Sequence, residues 1–193
     1  MNYFVKVIKL DDKTTKSKNR ALKEALKSPY DYFFLIEDNC KVLNDKIYDI
    51  FIETSKNTGI EALMWSGGGP NRDLGFKDDP YINYFSDFAP AFTMFTRNVV
   101  EKIGFFDEEM PENTWQMEEY FKRIGDNELA TPFGMAPSPK GIEGMLELTR
   151  NIDGLKNLAK MDEALTYWQQ KDDEFPIDIK RPVPVAKPIT EMI

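Results

Sequence analysis

Five consecutive apolar residues, Tyr32-Phe33-Phe34-Leu35-Ile36, stop abruptly at Glu37-Asp38-Asn39. The run lacks a polar face, so it predicts a strand over 31–37 that is buried on both sides. Its neighbours set the context. Residues 3–10, YFVKVIKL, are rich in β-branched and aromatic side chains and read as a strand. Ala21, Leu22, Ala25 and Leu26 recur at helical spacing and predict a helix over 15–27, ended by Ser28-Pro29. Asn44 and Asp45 are both N-cap residue types for a helix over 45–57. Ile47, Ile50 and Phe51 share one face of that helix, and Asn57-Thr58-Gly59 stops it. Ile60 to Trp65 is a third strand.

Strands alternating with helices predict an α/β fold, with a mixed, mostly parallel sheet flanked by helices. In such sheets ligands bind outside the C-terminal ends of the strands. Glu37-Asp38-Asn39 and Ser66-Gly67-Gly68-Gly69 both fall at such ends. Two readings of the acidic triplet stand side by side, a ligand site and a plain polar turn. The glycine run is a flexible loop or a place where backbone approaches a phosphate or sugar. It matches neither a P-loop nor a dinucleotide fingerprint.

Further along, residues 67–90 read as a long loop, Phe92 to Thr96 as a strand, and Asn98 to Ile103 as a short helix. Gly104-Phe105-Phe106-Asp107-Glu108 reads as a turn, with Asp107 capping it. A helix follows over 114–124. Residues 142–170 are expected to be mainly helical, as two helices broken near Asn151 to Gly154. The last 18 residues hold four of the twelve prolines, which excludes a helix there and predicts an extended tail. The expected organisation is a domain over 1–140, C-terminal helices over 141–171 and an extended proline-rich tail over 172–193.

Composition narrows the chemistry. The 193 residues contain no histidine, which removes a Ser-His-Asp triad, an imidazole base and a histidine metal ligand. Acid–base work falls to carboxylates, Lys, Tyr or Cys40. The lone Cys40 excludes an internal disulfide and suits a reducing compartment; next to the acidic triplet it reads as a small apolar residue. A net charge of −8 argues against broad binding to a nucleic-acid backbone. No apolar run reaches the roughly 20 residues of a membrane span, and the start of the chain lacks the pattern of a signal peptide. A cytoplasmic setting, or incorporation into a viral particle, is the expectation.

Two segments carry a resemblance. The first runs Lys18-Asn19-Arg20-Ala21-Leu22-Lys23-Glu24-Ala25 and then Asp31 to Asn39. The second runs from Phe92 through Arg97 and Gly104-Phe105-Phe106-Asp107-Glu108. Together they resemble the GT-A glycosyltransferases, in particular the large family of inverting nucleotide-sugar enzymes. The first matches that family's helix start and strand ending in a DxD motif. The second matches its strand, Arg, helix and Gly-x-Phe-Asp-Glu element. The helix holding Trp115, Glu118, Glu119 and Arg123 follows at about the family distance, and the likeness spans residues 3–125.

The resemblance implies transfer of a sugar from a nucleotide-diphosphate sugar to a carbohydrate, protein or modified nucleobase. It implies Mg²⁺ or Mn²⁺ held by Glu37 and Asn39, because hard oxygen ligands suit an ion that offsets diphosphate charge. Lys18, Asn19, Glu37, Asp38, Arg97 and Trp115 would bind the nucleotide sugar. Glu118 or Glu119 would take the proton of the acceptor hydroxyl. Each of these residues also has a bland reading, as solvated helix face, surface cation or core tryptophan (Trp65, Trp115, Trp168).

The chain departs from the family in two ways. Asn39 stands where the second Asp is usual, and a neutral amide is the weaker ligand. The family's first strand-helix-strand unit, which supplies much of the nucleoside pocket, has no counterpart, so an exposed sheet edge or a loss of core is expected, with the C-terminal helices or a partner as the cover. Two other functions stand beside the enzyme. One is an inactive GT-A-like binding or assembly module, for instance of a viral particle, docking on a protein partner or a second copy through residues 172–193. The other is half an enzyme completed by a separate chain.

Overall fold

The computed structural model describes residues 4–10, 14–66, 79–85, 90–110, 116–127, 129 and 136–149. In chain order the elements are β1 (Val5–Lys9), α1 (Thr15–Leu26), β2 (Tyr32–Ile36), β3 (Cys40–Val42), α2 (Lys46–Thr58) and β4 (Ala62–Ser66). Then come β5 (Ile82–Phe85), β6 (Pro90–Thr96), α3 (Arg97–Ile103), α4 (Gln116–Asp126), β7 (Ala136–Pro139) and β8 (Leu146–Leu148). The fold is mixed α/β.

The four-stranded sheet has the order β1-β2-β6-β4. β2 is central, as its unbroken apolar run requires. Phe33 and Leu35 enter the core under α1, α3 and α4, while Phe34 and Ile36 enter a second core under α2. Each fully buried phenylalanine contributes roughly 2–3 kcal/mol of hydrophobic stabilisation. On the α2 face Phe34, Phe51 and Phe92 meet edge-on or tilted, with ring centroids 5.0 to 6.1 Å apart. On the other face Tyr120 of α4 stacks on Phe106 at 4.3 Å and meets Phe95 edge-on.

Local signals explain the helix limits. Thr14 caps α1 by accepting the Ser17 N–H at 3.2 Å. At the start of α2 the Asn44 side chain accepts the Lys46 N–H at 3.0 Å, whereas Asp45 makes no capping bond. Gly59 ends α2 in the left-handed region at φ 71°, donating its N–H to Ser55. Thr96 turns β6 directly into α3 by accepting the Val99 N–H.

Three expectations need correction. The sheet is mixed, but only β1 and β2 pair in parallel; β6 is antiparallel to both β2 and β4. Between β4 and β6 the described residues hold the strand β5 and no helix, whereas a parallel return needs a crossover of roughly a dozen or more residues. Secondly, the long loop contains β5, which pairs with β7. Thirdly, residues 142–149 are not helical. Gly141 and Gly144 take positive φ (78° and 72°), and β8 pairs antiparallel with β3. The expected helices beyond 149, their break near 151–154 and the tail lie outside the described residues. So do Trp115 and Trp168, whereas Trp65 packs half-buried against the α2-side core.

At one edge of the sheet β7 lies against β4. At the other, no described strand pairs with the outer side of β1. Among the described residues no helix is long and apolar enough to cross a membrane.

Candidate functional site

The turn 104–108 is held by its backbone. Arg123 donates to the carbonyls of Ile103 (3.1 Å) and Phe105 (2.9 Å). The Tyr120 hydroxyl donates to Gly104 O at 2.9 Å. Asn19 donates to Phe106 O and accepts Phe106 N–H, both at 2.9 Å, and donates to Glu108 Oε1. Four consecutive carbonyls thus each receive a side-chain donor from α1 or α4. A buried loop without ladder partners needs such donors, and this is why the spacing Asn19 … Gly104-Phe105-Phe106 … Tyr120-x-x-Arg123 matters. Asp107 accepts Glu109 N–H at 2.9 Å, as a turn cap does.

This accounting separates the two candidate bases. Glu119 forms a two-point ion pair with Arg123, at 2.5 and 2.9 Å, and is thereby engaged in fixing the turn. Among the described residues Glu118 has no such salt bridge. Its carboxyl is pushed up to about 7, mainly by desolvation, with a backbone hydrogen bond and Lys18 pulling the other way. Lys18 is 6% exposed, its ammonium 5.7 Å from the Phe106 ring centre. α1 begins beyond the C-terminal end of β1, so Lys18, in its first turn, lies at the end of the sheet where Glu37-Asp38-Asn39 closes β2. Lys18 and Glu118 are close enough to interact electrostatically.

Other expected residues are engaged elsewhere. The register pairs Tyr32 with Thr96 and Ile36 with Phe92. Arg97 follows Thr96 and donates its N–H to Asp31 O, so it sits at the N-terminal end of β2, about 20 Å from Glu37 by strand rise. There it donates to the carbonyls of Leu26 (3.4 Å), Ser28 and Tyr30 (2.7 Å) and pairs with Glu101 at 3.0 Å. It ties the end of α1 to the sheet and cannot meet a ligand held at Glu37. Asn19 spends its amide on Phe106 and Glu108 and acts as a positioning residue.

Glu37-Asp38-Asn39 forms a turn closed by Cys40 N–H to Glu37 O at 3.0 Å, leading into β3. Glu37 N–H extends the pairing with β6 by bonding Ala91 O, and the Asn39 carbonyl accepts Thr149 N–H and hydroxyl. The bland reading of the triplet as a turn is therefore correct for its backbone. Its side chains carry a further signal: Asn39 Oδ1 is buried and accepts no hydrogen bond. Two carboxylates followed by an orphaned amide oxygen fit a hard divalent ion in donor chemistry. Among the described residues no three His, Cys, Asp or Glu side chains converge as a metal-holding group. Cys40 is half-buried, and burial, with Glu37 nearby, pushes its thiol up to about 11, so it is not a nucleophile at neutral pH.

The buttress residue Tyr120 carried no sequence signal of its own, whereas Glu108 stood in the Gly-x-Phe-Asp-Glu element. Glu119 and Arg123, four residues apart on one helix, carried one. No protein-family model matches the chain, and no curated protein matches it.

Proposed function

We propose that this chain is a GT-A-like glycosyltransferase in which Glu118, rather than Glu119, is the base for the acceptor hydroxyl. The observation that carries this reading is the Glu118 carboxyl, raised to about 7 beside buried Lys18. A base poised near neutral pH is half ionised where it works and can both take and release a proton. Perturbed carboxylates of this kind concentrate at functional sites. Lys18 would face the donor diphosphate, and the turn 104–108, locked by Asn19, Tyr120 and Arg123, would keep α4 and α1 at fixed separation. Glu37 and Asn39 would hold Mg²⁺ or Mn²⁺, with Asp38 beside them. The ion would supply positive charge to the departing nucleoside diphosphate.

The test is calorimetric titration with UDP and GDP, each with and without Mn²⁺, followed by release of nucleotide from the matching sugar donor. Metal-dependent binding, with turnover lost in Glu118→Gln and kept in Glu119→Gln, supports the reading. No binding of either nucleotide at millimolar concentration overturns it.

The outer edge of β1, with which no described strand pairs, favours a second reading, a binding module that keeps the fold for its surfaces. Normal assembly with a partner by Glu118→Gln, together with no nucleotide binding by the unsubstituted chain, would support it.

A further inference from the structure

β1 pairs with β2 on one side, and among the described residues no strand pairs with its other side. Phe4 O accepts the N–H groups of Asp31 and Tyr32, and Leu10 N–H bonds Ile36 O. The even-numbered residues of this strand therefore face β2. Successive residues of a strand direct their N–H and C=O to opposite edges. The N–H and C=O groups of Val5, Val7 and Lys9 point outward, where no described strand pairs with them. Beside that edge Phe4 is 57% and Val7 38% exposed. An unpaired edge flanked by exposed apolar side chains is a site for another strand.

The same chain contains a segment of matching pattern. Residues 175–185 read Phe-Pro-Ile-Asp-Ile-Lys-Arg-Pro-Val-Pro-Val. Phe175, Ile177, Ile179, Val183 and Val185 are all odd-numbered; Pro176, Pro182 and Pro184 are all even, as is Pro188 just beyond. In an extended conformation every missing N–H then falls on one edge, and the opposite edge keeps all of its donors. Such a strand pairs on one side only and ends a sheet. Its odd side chains form a single apolar face.

β7 shows this chain using the rule. Lys140 N–H bonds Tyr81 O, so the even residues of β7 face β5, and Pro137 and Pro139 turn their nitrogens away from that pairing. Reach is ample. The 25 residues between Thr149 and Phe175 span about 80 Å extended and about 38 Å even if wholly helical.

We propose that residues 175–185 of the chain's own C-terminal segment add to the outer edge of β1 as a fifth, terminal strand. They bond through their odd-numbered residues to Val5, Val7 and Lys9 and cover Val7. A second copy's β1 would occupy the same edge, but it would leave the shared parity of the tail prolines without a physical reason.

Hydrogen exchange of the full-length chain, read by NMR at individual amides, tests this. The Val5 and Val7 amides should exchange at least about tenfold more slowly than expected for free edge amides. Ile179→Pro removes a donor from the pairing edge and should abolish that protection. Lys180→Pro removes one from the outer edge and should preserve it. The Phe34 amide, in the central strand, reports that each variant is folded. Unprotected Val5 and Val7 amides in the unsubstituted chain overturn the proposal. So does protection that survives Ile179→Pro, and so does protection that rises with protein concentration, which would assign the edge to a second copy.

Discussion

Asn19 of α1 holds Phe106, 87 residues later, from both sides of one peptide position: its amide oxygen accepts the Phe106 N–H and its amide nitrogen donates to the Phe106 carbonyl, each at 2.9 Å. No other neutral side chain has a donor and an acceptor so placed except glutamine, which is one carbon too long for the same fit. Asn19→Ala leaves two buried backbone groups unsatisfied and should cost about 2–4 kcal/mol in urea denaturation. Asn19→Asp keeps the size but sets a carboxylate against Glu108 and loses both donated bonds. It should be at least as destabilised at pH 7, with part of the loss recovered at pH 4. A loss under about 0.5 kcal/mol in either variant, the range of ordinary surface substitutions, would show that the latch does not hold the turn.

Arg97 and Arg123 do related work at different places, and their variants should behave accordingly. Arg97 donates to three carbonyls near the end of α1 and sits at the sheet end remote from Glu37. Arg97→Lys keeps the charge but cannot reproduce the fork. It should lower stability by about 1–3 kcal/mol while leaving nucleotide affinity, where present, within twofold. A tenfold loss of nucleotide affinity with unchanged stability would return Arg97 to the ligand site.

Much of this architecture was legible in the sequence, and the failures have physical causes. β2 was legible because an unbroken apolar run leaves no solvent face. α1 and α2 were legible because their apolar spacing and stop signals agree, with Asn44 as a further cue at the start of α2; the Thr14 cap of α1 was not read. The direction of β6 was not, since Phe92 to Thr96 reads alike either way and only the connection decides. β8 was missed because Met145, Leu146 and Leu148 look helical until Gly141 and Gly144 take positive φ. In the site, the acidic pair on α4 was visible, but which member pairs with Arg123 was not. That depends on Arg123 reaching both Glu119 and the turn carbonyls. Arg97 was expected at the ligand site from the resemblance alone, yet strand register places it at the wrong end for the inferred diphosphate.

The raised carboxyl of Glu118 makes stability depend on pH in a direction opposite to that of a salt-bridged carboxylate. The native state holds the proton up to about 7, whereas the unfolded chain releases it near 4.5. Between those values the folded protein binds more protons, so this group's contribution to stability falls as pH rises. Glu118→Gln removes the titration. Relative to the unsubstituted protein, the variant should gain stability between pH 5 and pH 8, by up to about 3 kcal/mol. Denaturation midpoints of both proteins across that range measure it. A constant difference would show that Glu118 titrates normally, and would remove the main support for its role as base. If it is the base, turnover should rise with pH through an apparent value near 7.

Asn39 supplies the sharpest test of the metal inference, because its buried amide oxygen accepts no hydrogen bond. Asn39→Asp creates the acidic pattern of the family that the sequence resembles and puts a carboxylate where no donor awaits it. A buried, unpaired carboxylate is costly and raises its own pKa rather than ionise. Without metal the variant should therefore melt several degrees below the unsubstituted protein at pH 7. With millimolar Mn²⁺ the order should reverse, because the ion neutralises the new charge and anionic oxygen is the stronger ligand. The size of the Mn²⁺-induced rise in Tm should grow with pH as the carboxylate ionises. If Mn²⁺ raises Tm no more in Asn39→Asp than in the unsubstituted protein, Glu37-Asp38-Asn39 is a turn and nothing else. The inferred transferase would then have to handle its diphosphate through Lys18 without an ion at this turn.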